Sequence, residues 1–127
     1  MRYFLLPAIL VAACTVSAGT QAGAGAIILI CPEKPEPAVM RLCGALSQAL
    51  RERGYQLGGL AAPVRLIVEA ETSRAGSLRA RLVVEQDGAR QAGEKAELAV
   101  MDRTDIPPDQ IDRFARDLLA YTPIPKP

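Results

Sequence analysis

From residue 25 onward, apolar positions recur along the chain at two different periods. The run GAIILIC, residues 25–31, is short, continuous and rich in β-branched side chains, and the glycine and proline that bound it predict a buried strand. PEKPEP then interrupts any regular element. From Pro37, the residues Val39, Leu42, Cys43, Leu46, Ala49 and Leu50 recur at helical spacing, with Pro37 suited to the first turn and Gly54 to the C-terminal stop. Gly44, inside this helix, reads as a point of close packing.

After LGGLAAP the period shortens to two. In VRLIVEAET, 64–72, Val64, Leu66, Val68 and Ala70 share one face, and Arg65, Ile67, Glu69 and Glu71 share the other. In LRARLVVEQ, 78–86, Leu78, Ala80, Leu82 and Val84 oppose Arg79, Arg81, Val83 and Glu85. An antiparallel hairpin that pairs Ala70 with Ala80 and Val68 with Leu82 sets Glu71 beside Arg79, Glu69 beside Arg81, Ile67 beside Val83 and Arg65 beside Glu85. Opposite charges meet at every charged position, and such cross-strand pairs fix register. A turn at Asp87-Gly88 leads to a third alternating strand, 94–102, with Ala96, Leu98 and Val100 inward; keeping them inward requires an odd-length loop or a bulge. Ile111, Phe114, Ala115, Leu118 and Leu119 form one face of a final helix, which the tail TPIPKP cannot continue.

The predicted architecture is therefore α+β, in the order β-α-β-β-β-α. Only one face of each strand is thoroughly apolar, so a four-stranded mixed sheet with both helices packed on that face is the economical arrangement.

The first residues follow a different logic. MRYFLLPAILVAA, 1–13, has one positive charge, an apolar run and small residues at its end, the layout of a signal peptide, and it falls short of the roughly 20 apolar residues a spanning helix needs. Val11-Ala12-Ala13-Cys14 resembles the lipobox of bacterial lipoproteins, which implies cleavage before Cys14 and lipid attachment to its thiol. Val16-Ser17-Ala18 offers an alternative cut after residue 18 by the ordinary small-x-small rule. The unbroken apolar run up to Cys14, and the small uncharged residues 14–25 that suit a flexible tether, favour lipidation. In the lipoprotein pattern the residue after the cysteine influences sorting; Thr15 is not the aspartate linked to inner-membrane retention, which implies the periplasmic face of the outer membrane, or, under the alternative cut, a soluble periplasmic protein. With Cys14 lipidated or removed, Cys31 and Cys43 remain as a pair, and an oxidising compartment favours their disulfide.

Composition narrows the function. Without Arg2 the exported chain carries 14 basic and 14 acidic side chains, and the only aromatics after residue 26 are Tyr55, Phe114 and Tyr121. A nucleic-acid binder would show a basic excess and stacking aromatics. Histidine is absent, which removes the commonest general base and the commonest zinc ligand. Glu69 and Glu71 could be offered as an acid/base pair, but arginines opposite would keep both ionised. Ser47, Ser73 and Ser77 have no histidine base, and Lys34 and Lys95 sit in no catalytic motif. The expectation is a non-enzyme with no catalytic, cofactor or metal site.

The element order, the lipobox-like leader and LSQALRERGYQL leading into the second strand resemble a group of small bacterial envelope domains. The group includes the amino-terminal domain of TolB, the curli-secretion lipoprotein CsgG and the penicillin-binding-protein activator LpoB; more loosely, the order suits LptE. The resemblance implies docking to, or activating, another envelope component. One surface fits that role: the outer sheet face places Ile67, Val83, Ala99 and Met101 among Arg65, Arg79, Arg81 and Glu69, an apolar centre rimmed by charge. A solvated sheet face with a few apolar residues is the plain alternative. The expected layout is a leader (1–13, alternatively 1–18), a tether (14–25), one domain (26–122) and a proline-rich tail (123–127). The expected role is an envelope interaction, assembly or accessory module with a protein partner, held to the membrane by lipid and binding no nucleic acid. A soluble periplasmic domain for a small ligand or lipid is the alternative.

Overall fold

A computed structural model of the chain describes residues 25–74, 76–100 and 105–127, with Ser73 and Arg74 described at the backbone only. The elements are β1 (Ala26–Ile30), α1 (Pro37–Glu52), β2 (Gln56–Leu57), β3 (Val64–Arg74), β4 (Ser77–Gln86), β5 (Ala89–Ala92), β6 (Ala96–Ala99) and α2 (Pro108–Ala120). The fold is α+β, and both helices pack against the inner face of one mixed sheet. Among the described residues the sheet has six strands rather than four. β1 lies between β2 and β3, parallel to both; β3 and β4 are antiparallel, and β5 and β6 both pair with β4.

The β3–β4 register is the one that charge and apolar alternation predict: Ala70 faces Ala80, Val68 faces Leu82, Glu69 faces Arg81 and Arg65 faces Glu85. The extra strands have local causes. Asp87 and Gly88 both have positive φ, the signature of a two-residue type I′ turn, so the chain resumes pairing with β4 immediately at Ala89. Ala92 then faces Val83 while Ala96 faces Ala80, so one extra residue is inserted between β5 and β6. This is the bulge the inward pattern requires: β6 falls within the expected strand 94–102, β5 is an additional strand that precedes it, and the inserted residue returns Ala96 and Leu98 to the core side. Gly93 sits in the bulge, where an added Cβ would meet Thr122 Oγ1 at 3.0 Å and the Leu82 carbonyl oxygen at 3.1 Å.

Helix α1 begins with proline in its first turn and ends in a Schellman motif. Gly54 adopts φ 92°, its N–H donates to the Arg51 carbonyl, and the Tyr55 N–H donates to the Leu50 carbonyl at 3.0 Å. Tyr55 is thereby turned into the core and the chain is delivered to β2. Gly44 marks no close approach: it is exposed and an added Cβ would meet nothing within 4 Å.

Val39, Leu42, Leu46 and Leu50 of α1 and Ile111, Phe114, Ala115 and Leu118 of α2 bury themselves against Ile27, Leu66, Val68, Leu78, Leu82 and Val84 of the sheet. β1 differs from the expectation of a strand buried throughout. Its alternation puts Ile27 and Leu29 inward, whereas Ile28 and Ile30 lie half-buried on the outer face.

Residues 122–127, expected only as a tail that ends the helix, pack against the domain. Thr122 caps back to the Leu118 carbonyl at 2.6 Å, Ile124 joins the core margin, and the Pro125 carbonyl accepts the Tyr55 hydroxyl proton at 2.6 Å. Pro127 reaches Gly25, where an added Cβ would come within 3.2 Å of it. The segment is a strap that closes the core between the end of α2 and the start of β1.

Candidate functional site

Each strand alternates, so the sheet's outer face is as fixed as its core. Opposite the helices, β1 contributes Ile28 and Ile30, β3 contributes Arg65, Ile67, Glu69 and Glu71, and β4 contributes Arg79, Arg81, Val83 and Glu85. On this face Arg81 Nε lies 2.6 Å from Glu69 Oε2, Arg90 of β5 lies 3.2 Å from Glu69 Oε1 and 3.5 Å from Glu85 Oε1, and Arg65 lies 3.9 Å from Glu85. The hydrogen bond from Arg81 holds the Glu69 carboxyl below its ordinary value of 4.5; partial burial opposes this, and the charges of Arg81 and Arg90 reinforce it. Glu69 is therefore a fixed carboxylate near neutral pH rather than a proton donor.

This chain of ion pairs changes the expected partner surface. Glu69 lies one pair before the Ile67–Val83 pair and Glu85 one pair after it, so Arg90, bonded to both, spans that pair. Val83 is 1% exposed although it faces away from the core, and it cannot meet a partner directly. Ile67 remains half-buried, and its apolar neighbours within reach are Ile30, directly opposite, and Ile28. The apolar strip therefore runs through Ile28, Ile30 and Ile67, displaced toward β1 from the centre expected at Ile67 and Val83. Ala99 is exposed at the opposite edge, on β6; Met101 lies outside the described residues.

Beside the strip, toward the end where β1 stops, lies an open depression of about 300 Å³ lined by Pro32, Glu69, Glu71, Arg79, Arg81 and Lys95. Arg79 pairs with Glu97 of β6 at 3.5 Å rather than with Glu71, its cross-strand neighbour. Ser77 also donates to Glu97, at 3.1 Å. The arrangement can offer alternating charge and several guanidinium donors to a polar surface. Ser47 donates to the Cys43 carbonyl one helical turn back, and Ser73 has no described side chain. Among the described residues no group of three or more His, Cys, Asp or Glu converges where a metal ion would sit.

Cys31, just past β1, and Cys43, on α1, are joined by a disulfide with their Cα atoms 6.4 Å apart. Residues 1–24, which hold Cys14 and the expected leader, lie outside the described residues.

Arg90, Lys95, Ile28 and Ile30 are the surface residues that sequence reasoning overlooked. A signal existed for two kinds of them. A two-residue turn at 87–88 dictates that Arg90 faces Glu85, and alternation along β1 dictates that Ile28 and Ile30 share a face with Ile67.

No protein family matches the chain, and no curated protein does. Among solved structures the chain is similar to a "putative lipoprotein" from Caulobacter crescentus CB15, with 14% identity and a TM-score of 0.37 over 74% of this chain and 82% of that one. So loose an overlap carries no argument about fold or function.

Proposed function

We propose that this chain is a non-enzymatic lipoprotein of the bacterial envelope, anchored through Cys14 at the periplasmic face of the outer membrane and acting there as an interaction, assembly or accessory module. The observation that carries this reading is the Cys31–Cys43 bond, which occupies two of the three cysteines and leaves the lipobox residue alone as the one with another fate. The resemblance to the TolB, CsgG and LpoB group supplies the type of work. The apolar strip Ile28–Ile30–Ile67, with Arg79, Arg81 and Lys95 beside it, supplies a surface of suitable composition for a protein partner.

Intact mass and detergent partitioning of the native protein test the anchor. The expected result is a chain beginning at Cys14 with acyl mass added, recovered in the detergent phase. A chain beginning at residue 19 or later and wholly aqueous would sink the reading. Photo-crosslinkers at Ile28 and Ile67 should capture a protein that one placed at Leu60, beyond the sheet, does not; equal capture from both positions counts against the outer face.

A further inference from the structure

The most exposed large apolar side chain among the described residues is Leu60, 92% exposed in the loop between β2 and β3. From Leu57 to Val64 the sequence LGGLAAPV contains no charged residue. The loop's position is fixed by backbone bonds: Gly58 N–H donates to the Ile27 carbonyl at 2.8 Å, Gln56 N–H donates to the Gly25 carbonyl at 2.8 Å, and Ala62 N–H donates to the Gly59 carbonyl at 3.0 Å. An added Cβ at Gly58 would stand 3.9 Å from that of Ala26. Leu60 therefore projects from the same end of the domain at which residue 25 continues back toward Cys14.

We infer that the 58–63 loop is a membrane-facing contact that seats Leu60 in the lipid surface to which Cys14 is attached. The inference rests on the lipoprotein reading and adds an orientation to it. Gly25 lies eleven residue steps beyond Cys14, a reach of up to about 36–40 Å if extended, so the anchor alone leaves the domain free to present any side to the bilayer. Burying one leucine favours the bound orientation by roughly 10- to 150-fold, the equivalent of about 1.5–3 kcal/mol, too little to hold a protein on a membrane but enough to orient one already tethered. The loop can enter the lipid without desolvating a charge. Arg51, Arg53, Arg65 and Lys126 stand at the same end with Glu52, Glu85 and Asp87, so the flanking surface carries charges of both signs. Such a surface tolerates anionic headgroups.

The chain contains no tryptophan, so Leu60→Trp places a single reporter on the loop. Met40→Trp places one on an exposed site in the first turn of α1, about 20 Å along the helix from the Gly54 end. Both variants are prepared as the full, lipid-modified chain in vesicles of phosphatidylethanolamine and phosphatidylglycerol, with and without bromine on the acyl chains. The expected result is blue-shifted emission from Leu60→Trp that brominated lipid quenches, and unshifted, unquenched emission from Met40→Trp. Emission from Leu60→Trp that brominated lipid leaves unchanged, on a chain whose mass carries the acyl groups, overturns the loop contact and leaves the lipoprotein reading standing. A chain without acyl mass at Cys14 overturns both.

Discussion

Removing the disulfide isolates a stabilising contribution that belongs mostly to the unfolded chain. Cys31 and Cys43 are 12 residues apart, and closing a loop of that size in the unfolded ensemble is worth about 3 kcal/mol. The domain has roughly 100 residues, for which each kcal/mol moves the melting temperature by about 4–8 °C, so Cys31→Ala/Cys43→Ala should melt about 12–24 °C below the wild type. Both cysteines are half-buried at the core margin, so the packing lost in the exchange is small beside the loop effect. Thermal unfolding followed by far-ultraviolet circular dichroism reads the shift, and a reductant provides the control. It should bring the wild type down to the double variant and leave the double variant where it is. A double variant that melts within a few degrees of a wild type shown by thiol titration to be fully oxidised would refute the loop reasoning. Two free thiols in the exported protein would refute the bond itself. Under the proposed anchor at Cys14, membrane location should not change in either case.

Gly44→Ala should stabilise the protein by about 1 kcal/mol, because the site is an exposed helix interior with open space around the new methyl group; urea unfolding checks it. Tyr55→Phe removes the donor to the Pro125 carbonyl and should cost about 0.5–1.5 kcal/mol, with faster hydrogen exchange at the Thr122 and Ile124 amides. Burial raises the Tyr55 ionisation above 10.0, opposed by the nearby charge of Arg53, so its contribution is complete below that pH and is lost as pH rises through the higher folded value; Tyr55→Phe should flatten this alkaline limb. Glu69 has the opposite sign. Its lowered ionisation gives stability that is complete above 4.5 and is lost as pH falls through the folded value, so Glu69→Gln should blunt the acid limb by no more than about 1 kcal/mol, the scale of exposed pairs.

What could be read from the sequence was whatever depends on neighbours along one or two elements. The hairpin register followed from alternation plus charge, because a slip of one residue would place Leu66, Val68 and Leu82 on the solvent side. The α1 stop followed from Gly54, which alone meets the positive φ that the Schellman turn requires. The strap was not legible, since its meaning depends on Tyr55, 70 residues away from Pro125. The burial of Val83 was not legible either. Alternation assigns a side chain to a face but says nothing of ion pairs made between the residues on either side of it, as Arg90 makes here with Glu69 and Glu85. Gly44 misled because a glycine in a helix has two readings, close approach or simple tolerance, and only the surroundings distinguish them.

β1 ends its pairing at Ile30 opposite Ile67, yet β3 continues to Arg74, and among the described residues no strand pairs with Val68–Arg74 on that side. Such an edge is a template for another copy of the same strand unless something opposes it. Here Pro32 stands beside it, and Glu69 and Glu71 are placed along it. If two copies met in antiparallel register about Ala70, each Glu71 would face the other copy's Glu69, and like charges directly opposite are destabilising. Glu69 is already committed to Arg81 and Arg90, whereas no ion pair holds Glu71 among the described residues. Glu71→Thr therefore removes the opposition, keeps β-propensity and leaves the internal pairs intact. Sedimentation should show more self-association than for the wild type at equal concentration, and Glu71→Asp should not. If Glu71→Thr sediments as the wild type does, the carboxylate is not what protects this edge, and Pro32 with the loop behind it carries the protection instead.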